Sequence, residues 1–150
     1  MGTSLVSEGE FGIAEMLTNK KFIVPIDVTV KKPDWTMEIK KADHVEASEY
    51  IGDVGTETTE MLGELVKKAS LVVWNGPLGN YEAGFTEETE KLAEIIADSG
   101  ATTIVGGGDT LASIEKLGLT HKFTFVSTAG GAMLDFLVNE TLPGIDVLTQ

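Results

Sequence analysis

Three turns in this chain are built from residues suited to holding an anion. The clearest is Val105-Gly106-Gly107-Gly108-Asp109-Thr110, where consecutive glycines let the backbone approach a ligand and the helix that follows would aim its free N–H groups at it. Asp109 adds a hard carboxylate oxygen suited to Mg²⁺, an ion that keeps most of its waters and takes one or two carboxylates. The plainer alternative is a tight turn over Gly106 to Gly108 with Asp109 as a helix cap. The second turn, Ser127-Thr128-Ala129-Gly130-Gly131-Ala132, offers another set of N–H groups, or else only a closely packed helix start. In the third, Trp74-Asn75-Gly76-Pro77-Leu78-Gly79-Asn80-Tyr81-Glu82, a rigid Gly-Pro turn would present Asn75 and the Glu82 carboxylate to ribose hydroxyls. Alternatively, Trp74 is a core aromatic and Glu82 a solvated loop charge.

Each turn follows a short apolar run. Phe22 to Val28, Leu71 to Trp74, Thr102 to Val105 and Phe123 to Val126 alternate with helical patterns, which predicts an α/β fold, part of a doubly wound (Rossmann-like) parallel sheet with helices on both faces. In such a sheet ligands sit beyond the carboxyl ends of the strands, so the three turns would share one rim. One amphipathic helix is expected from Thr56, a fitting N-cap, with Leu62, Leu65, Val66 and Ala69 on one face and Lys67 and Lys68 at its end. A second follows Thr86, carries Glu87 and Glu88 in its first turn, turns Leu92, Ile95 and Ile96 inward and stops at Gly100. Two shorter ones carry Leu111, Ile114 and Leu117 up to Gly118, and Leu134 and Leu137 from about Gly131. Asp34 to Tyr50 reads as an irregular surface excursion with little share in the core.

Composition excludes several function classes. The net charge of −13 argues against sequence-independent nucleic-acid binding. All eleven basic residues are lysines, so the arginine fork that grips phosphate with two parallel hydrogen bonds is missing. A phosphorylated ligand must then be held by peptide N–H groups, helix N-termini, a metal ion or a lysine. With no cysteine there is no disulfide framework or thiolate zinc site, and the isolated His44 and His121 read as surface residues. No apolar run is long enough to cross a bilayer, and the start carries no signal-like or myristoylation pattern, so the expected location is cytoplasmic with no membrane partner. Neither a Walker A sequence nor G-x-G-x-x-G occurs.

Taken in order, Trp74-Asn75-Gly76-Pro77-Leu78-Gly79, Val105-Gly106-Gly107-Gly108-Asp109-Thr110, Glu115-Lys116-Leu117-Gly118-Leu119, Ser127-Thr128-Ala129-Gly130-Gly131-Ala132 and Thr141-Leu142-Pro143-Gly144 resemble the motifs of phosphoglycerate kinase. The resemblance reaches the beginning, where Gly2-Thr3-Ser4-Leu5 and Val24-Pro25-Ile26-Asp27-Val28 are similar to family segments. It implies the C-terminal part of the nucleotide-binding domain over residues 1–150, with the N-terminal substrate domain absent. Carried over by motif, it implies Asp109 as the metal-linked aspartate, with Mg²⁺ and ATP or ADP as cofactors. Thr110 and the Gly106, Gly107 and Gly108 backbone would lie along the phosphates, and Asn75, Pro77 and Glu82 against the nucleoside. Gly108, Gly130 and Gly131 would face the transferred group.

The departures from the family pattern are specific. Ala129 stands where the third motif commonly has its first glycine, and if that position needs φ > 0, alanine costs on the order of 1 kcal/mol. Ile51-Gly52-Asp53 stands where Gly-Leu-Asp commonly lines an adenine pocket. The family's arginines, its substrate histidine and its Gly-Gly-Ala-Lys lysines lie in segments this chain does not include. The expected function is therefore the Mg-nucleotide-binding portion of an enzyme that interconverts ATP and 3-phosphoglycerate with ADP and 1,3-bisphosphoglycerate in glycolysis, inactive without its partner, the missing N-terminal portion. A nucleotide- or phosphate-binding module without transfer chemistry is the alternative, and a vestigial structural chain a third.

Overall fold

The structure is a computed structural model that describes residues 2–4 and 13–148. The chain divides into two compact units, Met1–Glu60 and Met61–Gln150.

After a short helix α1 (Ile13–Thr18), the first unit is built on an antiparallel sheet of β1 (Asp27–Lys31), β2 (Met37–Lys41) and β3 (Tyr50–Val54), in the order β2-β1-β3. Two expectations are corrected here. Of the run Phe22 to Val28, only Asp27 and Val28 lie in a strand, and that strand continues to Lys31 and pairs antiparallel on both sides. Phe22, Ile23, Val24 and Ile26 remain exposed. Asp34 to Tyr50 is not wholly irregular either, since it contains β2 and the first residue of β3.

The cause is a tight hairpin. Asp34 accepts hydrogen bonds from the Thr36 amide at 3.0 Å and hydroxyl at 2.6 Å, and Lys32 N–H donates to the Thr36 carbonyl. This reverses the chain after Lys31 and lays β2 against β1. Val28 and Val30 are buried and the side chains of β2 are mostly exposed, so the excursion adds little apolar core, as its polarity implies. Its one buried residue, Glu49, pairs with Lys40 at 2.7 Å and accepts the Glu46 amide.

Helix α2 spans Thr56–Val66. Thr56 is its first residue rather than its cap, and Ala69 and the two lysines lie past its end. The capping group comes from far away in sequence: the Asp27 carboxylate accepts the amides of Glu57 at 3.0 Å and Thr58 at 2.8 Å, and the Thr58 hydroxyl at 2.6 Å. Burial alone would raise the Asp27 carboxyl, but the Thr58 hydroxyl and the Thr58 and Glu57 amides outweigh it and hold the group below its ordinary value.

The second unit has the expected parallel sheet, of three strands in the order β4 (Leu71–Asn75), β5 (Thr102–Gly106) and β6 (Phe125–Ser127). β6 starts two residues later than its apolar pattern implies. At that point Thr103 and Thr124 exchange amide-to-hydroxyl bonds of 3.1 and 2.9 Å in place of ladder bonds. Between the strands run α3 (Glu87–Ala97) and α4 (Gly108–Lys116), and after β6 come α5 (Gly130–Asn139) and a short α6 (Pro143–Leu148) that no sequence pattern announced. The core joins Trp74, Leu92, Ala93, Ile96, Val105, Ile114 and Phe123, with the Trp74 and Phe123 rings 6.5 Å apart. A fully buried side chain such as Ile114 contributes about 1.5 to 3 kcal/mol by leaving water. Its face is set by the spacing Leu111, Ile114, Leu117, and α4 gives way to Gly118 at φ 68°.

Candidate functional site

The carboxyl ends of β4, β5 and β6 each open into a glycine-rich turn, and the parallel pairing Asn75↔Gly106 and Gly106↔Ser127 places the three turns side by side. Their contact is close. A Cβ built on Gly130 would lie 2.4 Å from both Asn75 Oδ1 and the Gly107 nitrogen, and one on Gly106 would lie 3.0 Å from Asn75 Oδ1 and 3.1 Å from Gly130 Cα. Asn75 thus fills the space where all three turns meet. Its Oδ1 is buried with no hydrogen-bond partner among the described residues.

Gly107 adopts φ 93° and Gly76 φ 102°, conformations that L side chains rarely take, so these two turns depend on glycine for backbone shape. Gly108 and Gly131 are different. A Cβ on either meets nothing within 4 Å, so open space lies in front of the first residues of α4 and α5. Neither helix has a side-chain hydrogen bond at its cap. The N-terminal amides of two neighbouring helices, each carrying the positive end of its dipole, are therefore left for an external acceptor. α2 shows the contrast, because Asp27 already occupies its N-terminus.

Asp109 is half-buried in the first turn of α4. Among the described residues no cluster of three or more His, Asp or Glu side chains forms a metal cage. A Mg²⁺ ion that brings its own phosphate and water ligands needs only one or two carboxylates, and Asp109 beside open amides suits that requirement.

Thr110 is fully buried, and its hydroxyl accepts the Gly76 amide at 3.0 Å. Beyond Gly76, Pro77 is half-buried, and the Leu78 and Gly79 amides donate to the buried Thr89 hydroxyl at 3.0 and 3.4 Å. Glu82 is exposed on a single 3-10 turn, Tyr81–Ala83, capped by Asn80. Ala129 adopts φ −124°, so the alanine in the third motif carries no left-handed strain. Ile51, Gly52 and Asp53 lie in β3 of the first unit. Sequence reasoning missed Thr89, which had no motif to mark it, and the inward orientation of Thr110.

An α/β unit whose strand ends feed uncapped, glycine-led helices has the architecture of proteins that receive phosphorylated ligands at a sheet rim. Comparison with known proteins narrows this. The sequence profile of phosphoglycerate kinase matches residues 1–140. The chain is 44% identical over 131 residues to the phosphoglycerate kinase of Francisella tularensis subsp. holarctica strain LVS, covering 85% of this chain and 33% of that one. It is 43% identical over 136 residues to that of Coxiella burnetii, covering 88% and 35%. The Coxiella burnetii phosphoglycerate kinase structure superposes with a TM-score of 0.79 at 42% identity over 93% of this chain and 37% of that one, and the Pyrococcus horikoshii OT3 enzyme with 0.77 at 34% identity over 90% and 35%. The chain belongs to the phosphoglycerate kinase family, and it spans about a third of the length of the relatives it matches.

Proposed function

We propose that this chain supplies the Mg-nucleotide-binding side of a phosphoglycerate kinase, acting in the cytosol within the reaction ATP + 3-phosphoglycerate ⇌ ADP + 1,3-bisphosphoglycerate. The observation that carries the reading is the pair of uncapped N-termini of α4 and α5 on adjacent strand ends, with open space at Gly108 and Gly131. Phosphoryl transfer asks a protein mainly to position its reactants and neutralise charge on the equatorial oxygens. Backbone amides of Gly107, Gly108, Gly130 and Gly131 provide fixed dipoles for that purpose without arginine. Asp109 would hold Mg²⁺, which when bound draws charge from the phosphate oxygens. Asn75, Pro77 and Glu82, at and after the end of β4, would lie towards the nucleoside.

Calorimetry with Mg-ADP and with metal-free ADP tests this. The chain is expected to bind both, and Asp109→Ala to weaken Mg-ADP by at least about tenfold more than ADP alone, because only the former uses the carboxylate. Equal losses would remove Asp109 from the metal role, and no binding of either nucleotide would sink the reading.

A further inference from the structure

The buried hydroxyl of Thr110 has a structural partner rather than an outlook on the rim. We propose that Thr110 is a positioning residue that latches the turn after β4 to the glycine turn after β5, so that the nucleoside and phosphate ends of a ligand are bound as one unit. This rests on the nucleotide reading above. Thr110 is 0% exposed and accepts the Gly76 amide at 3.0 Å. A Cβ on Gly107 would lie 3.1 Å from the Gly76 nitrogen and 3.4 Å from Thr110 Oγ1, so the amide, the hydroxyl and the glycine turn are in mutual contact.

The latch matters because both turns are intrinsically loose. Gly76 and Gly107 hold positive φ without a side chain to fix it, and glycine loses more conformational freedom on ordering than any other residue. The far side of the β4 turn is tied by Thr89 through Leu78 and Gly79, and Thr110 supplies the tie nearest the strand. Without that hydroxyl the Gly76 amide loses its acceptor, and the turn that carries Asn75 and Pro77 is free to move relative to α4.

Thr110→Val keeps the shape and removes the acceptor, while Thr110→Ser keeps the acceptor. In the whole chain, Thr110→Val is expected to speed exchange of the Gly76 amide by about tenfold or more and to weaken Mg-ADP by about tenfold, leaving Mg-pyrophosphate affinity unchanged; Thr110→Ser should behave as the parent in all three. An equal loss of Mg-pyrophosphate binding would overturn the proposal by making Thr110 a direct phosphate contact. Unchanged Mg-ADP affinity with an exposed Gly76 amide would overturn it too, by showing the turns uncoupled. Should Thr110→Val not fold, loss of Gly76 protection in Thr110→Ser would count against the latch. If the parent chain binds no Mg-ADP, the nucleotide reading falls while Gly76 exchange still decides whether the latch exists.

Discussion

Gly130 and Gly131 are adjacent in sequence and opposite in kind. Alanine at 130 would drive its methyl to 2.4 Å from the Gly107 backbone, which cannot yield without prying the β5 and β6 turns apart. Gly130→Ala is expected to cost about 1 to 3 kcal/mol of stability, as overpacking does, measured by denaturant melts. Gly131→Ala meets only open space at a helical position, so it should be neutral or stabilise by up to about 1 kcal/mol. It should nonetheless weaken Mg-ADP if a phosphate occupies that space. A variant more stable and still fully binding would show that the phosphate does not approach Gly131. The sequence made both glycines visible as parts of one motif but could not separate them, because the difference lies in what stands opposite each Cα. Ala129 was ambiguous for the same reason: the residue type raises the question of a positive φ, and only the backbone, at −124°, answers it.

At the scale of elements, the least local interaction is the Asp27 cap of α2. The Asp27 carboxyl is held below its usual value, so the stabilisation it gives is complete above the unfolded aspartate pKa of about 3.9 and is lost as pH falls through the lower folded value. Asp27→Ala should therefore cost about 1 to 2 kcal/mol at neutral pH, and the difference from the parent should shrink in acid below about pH 4. A constant difference from pH 7 to pH 2 would show that the loss is packing and not charge. Gly55 belongs to the same device, since a Cβ there would sit 2.2 Å from the carboxylate. The parallel strands were legible because Leu71 to Trp74 and Thr102 to Val105 are apolar runs stopped by turn residues. The antiparallel sheet was not. Met37 and Ile39 on β2 and Trp35 in the turn before it are exposed while Glu38 and Lys40 make ion pairs, so the strand shows no apolar face turned inward. In the run Phe22 to Ile26 apolar residues stand in the open, which reverses the usual inference from hydrophobicity to strand.

At the scale of the whole molecule, surface and charge together bear on what the chain can do alone. α5 has no buried residue, and Leu137, Val138, Val147 and Leu148 are more than half exposed across α5 and α6. The four lysines Lys67, Lys91, Lys116 and Lys122 each pair with a carboxylate, Glu64, Glu87 and Glu88, Glu90 and Asp98 respectively, at 2.6 to 3.0 Å. These cations are engaged with nearby acids. With no arginine in the sequence and these four lysines engaged, the charge that a transferring phosphoryl group develops would be met mainly by peptide dipoles and a metal. Loss of one preorganised electrostatic contact typically costs about 10²- to 10³-fold in rate, and on the proposed reading the contacts to the second reactant belong to parts of the family's length outside the third that this chain spans. The pure 150-residue chain is accordingly expected to bind Mg-ADP weakly and to show no turnover of ATP with 3-phosphoglycerate in a coupled assay from which host enzyme has been excluded. Robust turnover by the chain alone would require a cation at the glycine turns, and Lys91→Met and Lys116→Met would then be the first variants to show whether a paired lysine leaves its ion pair under substrate to supply it.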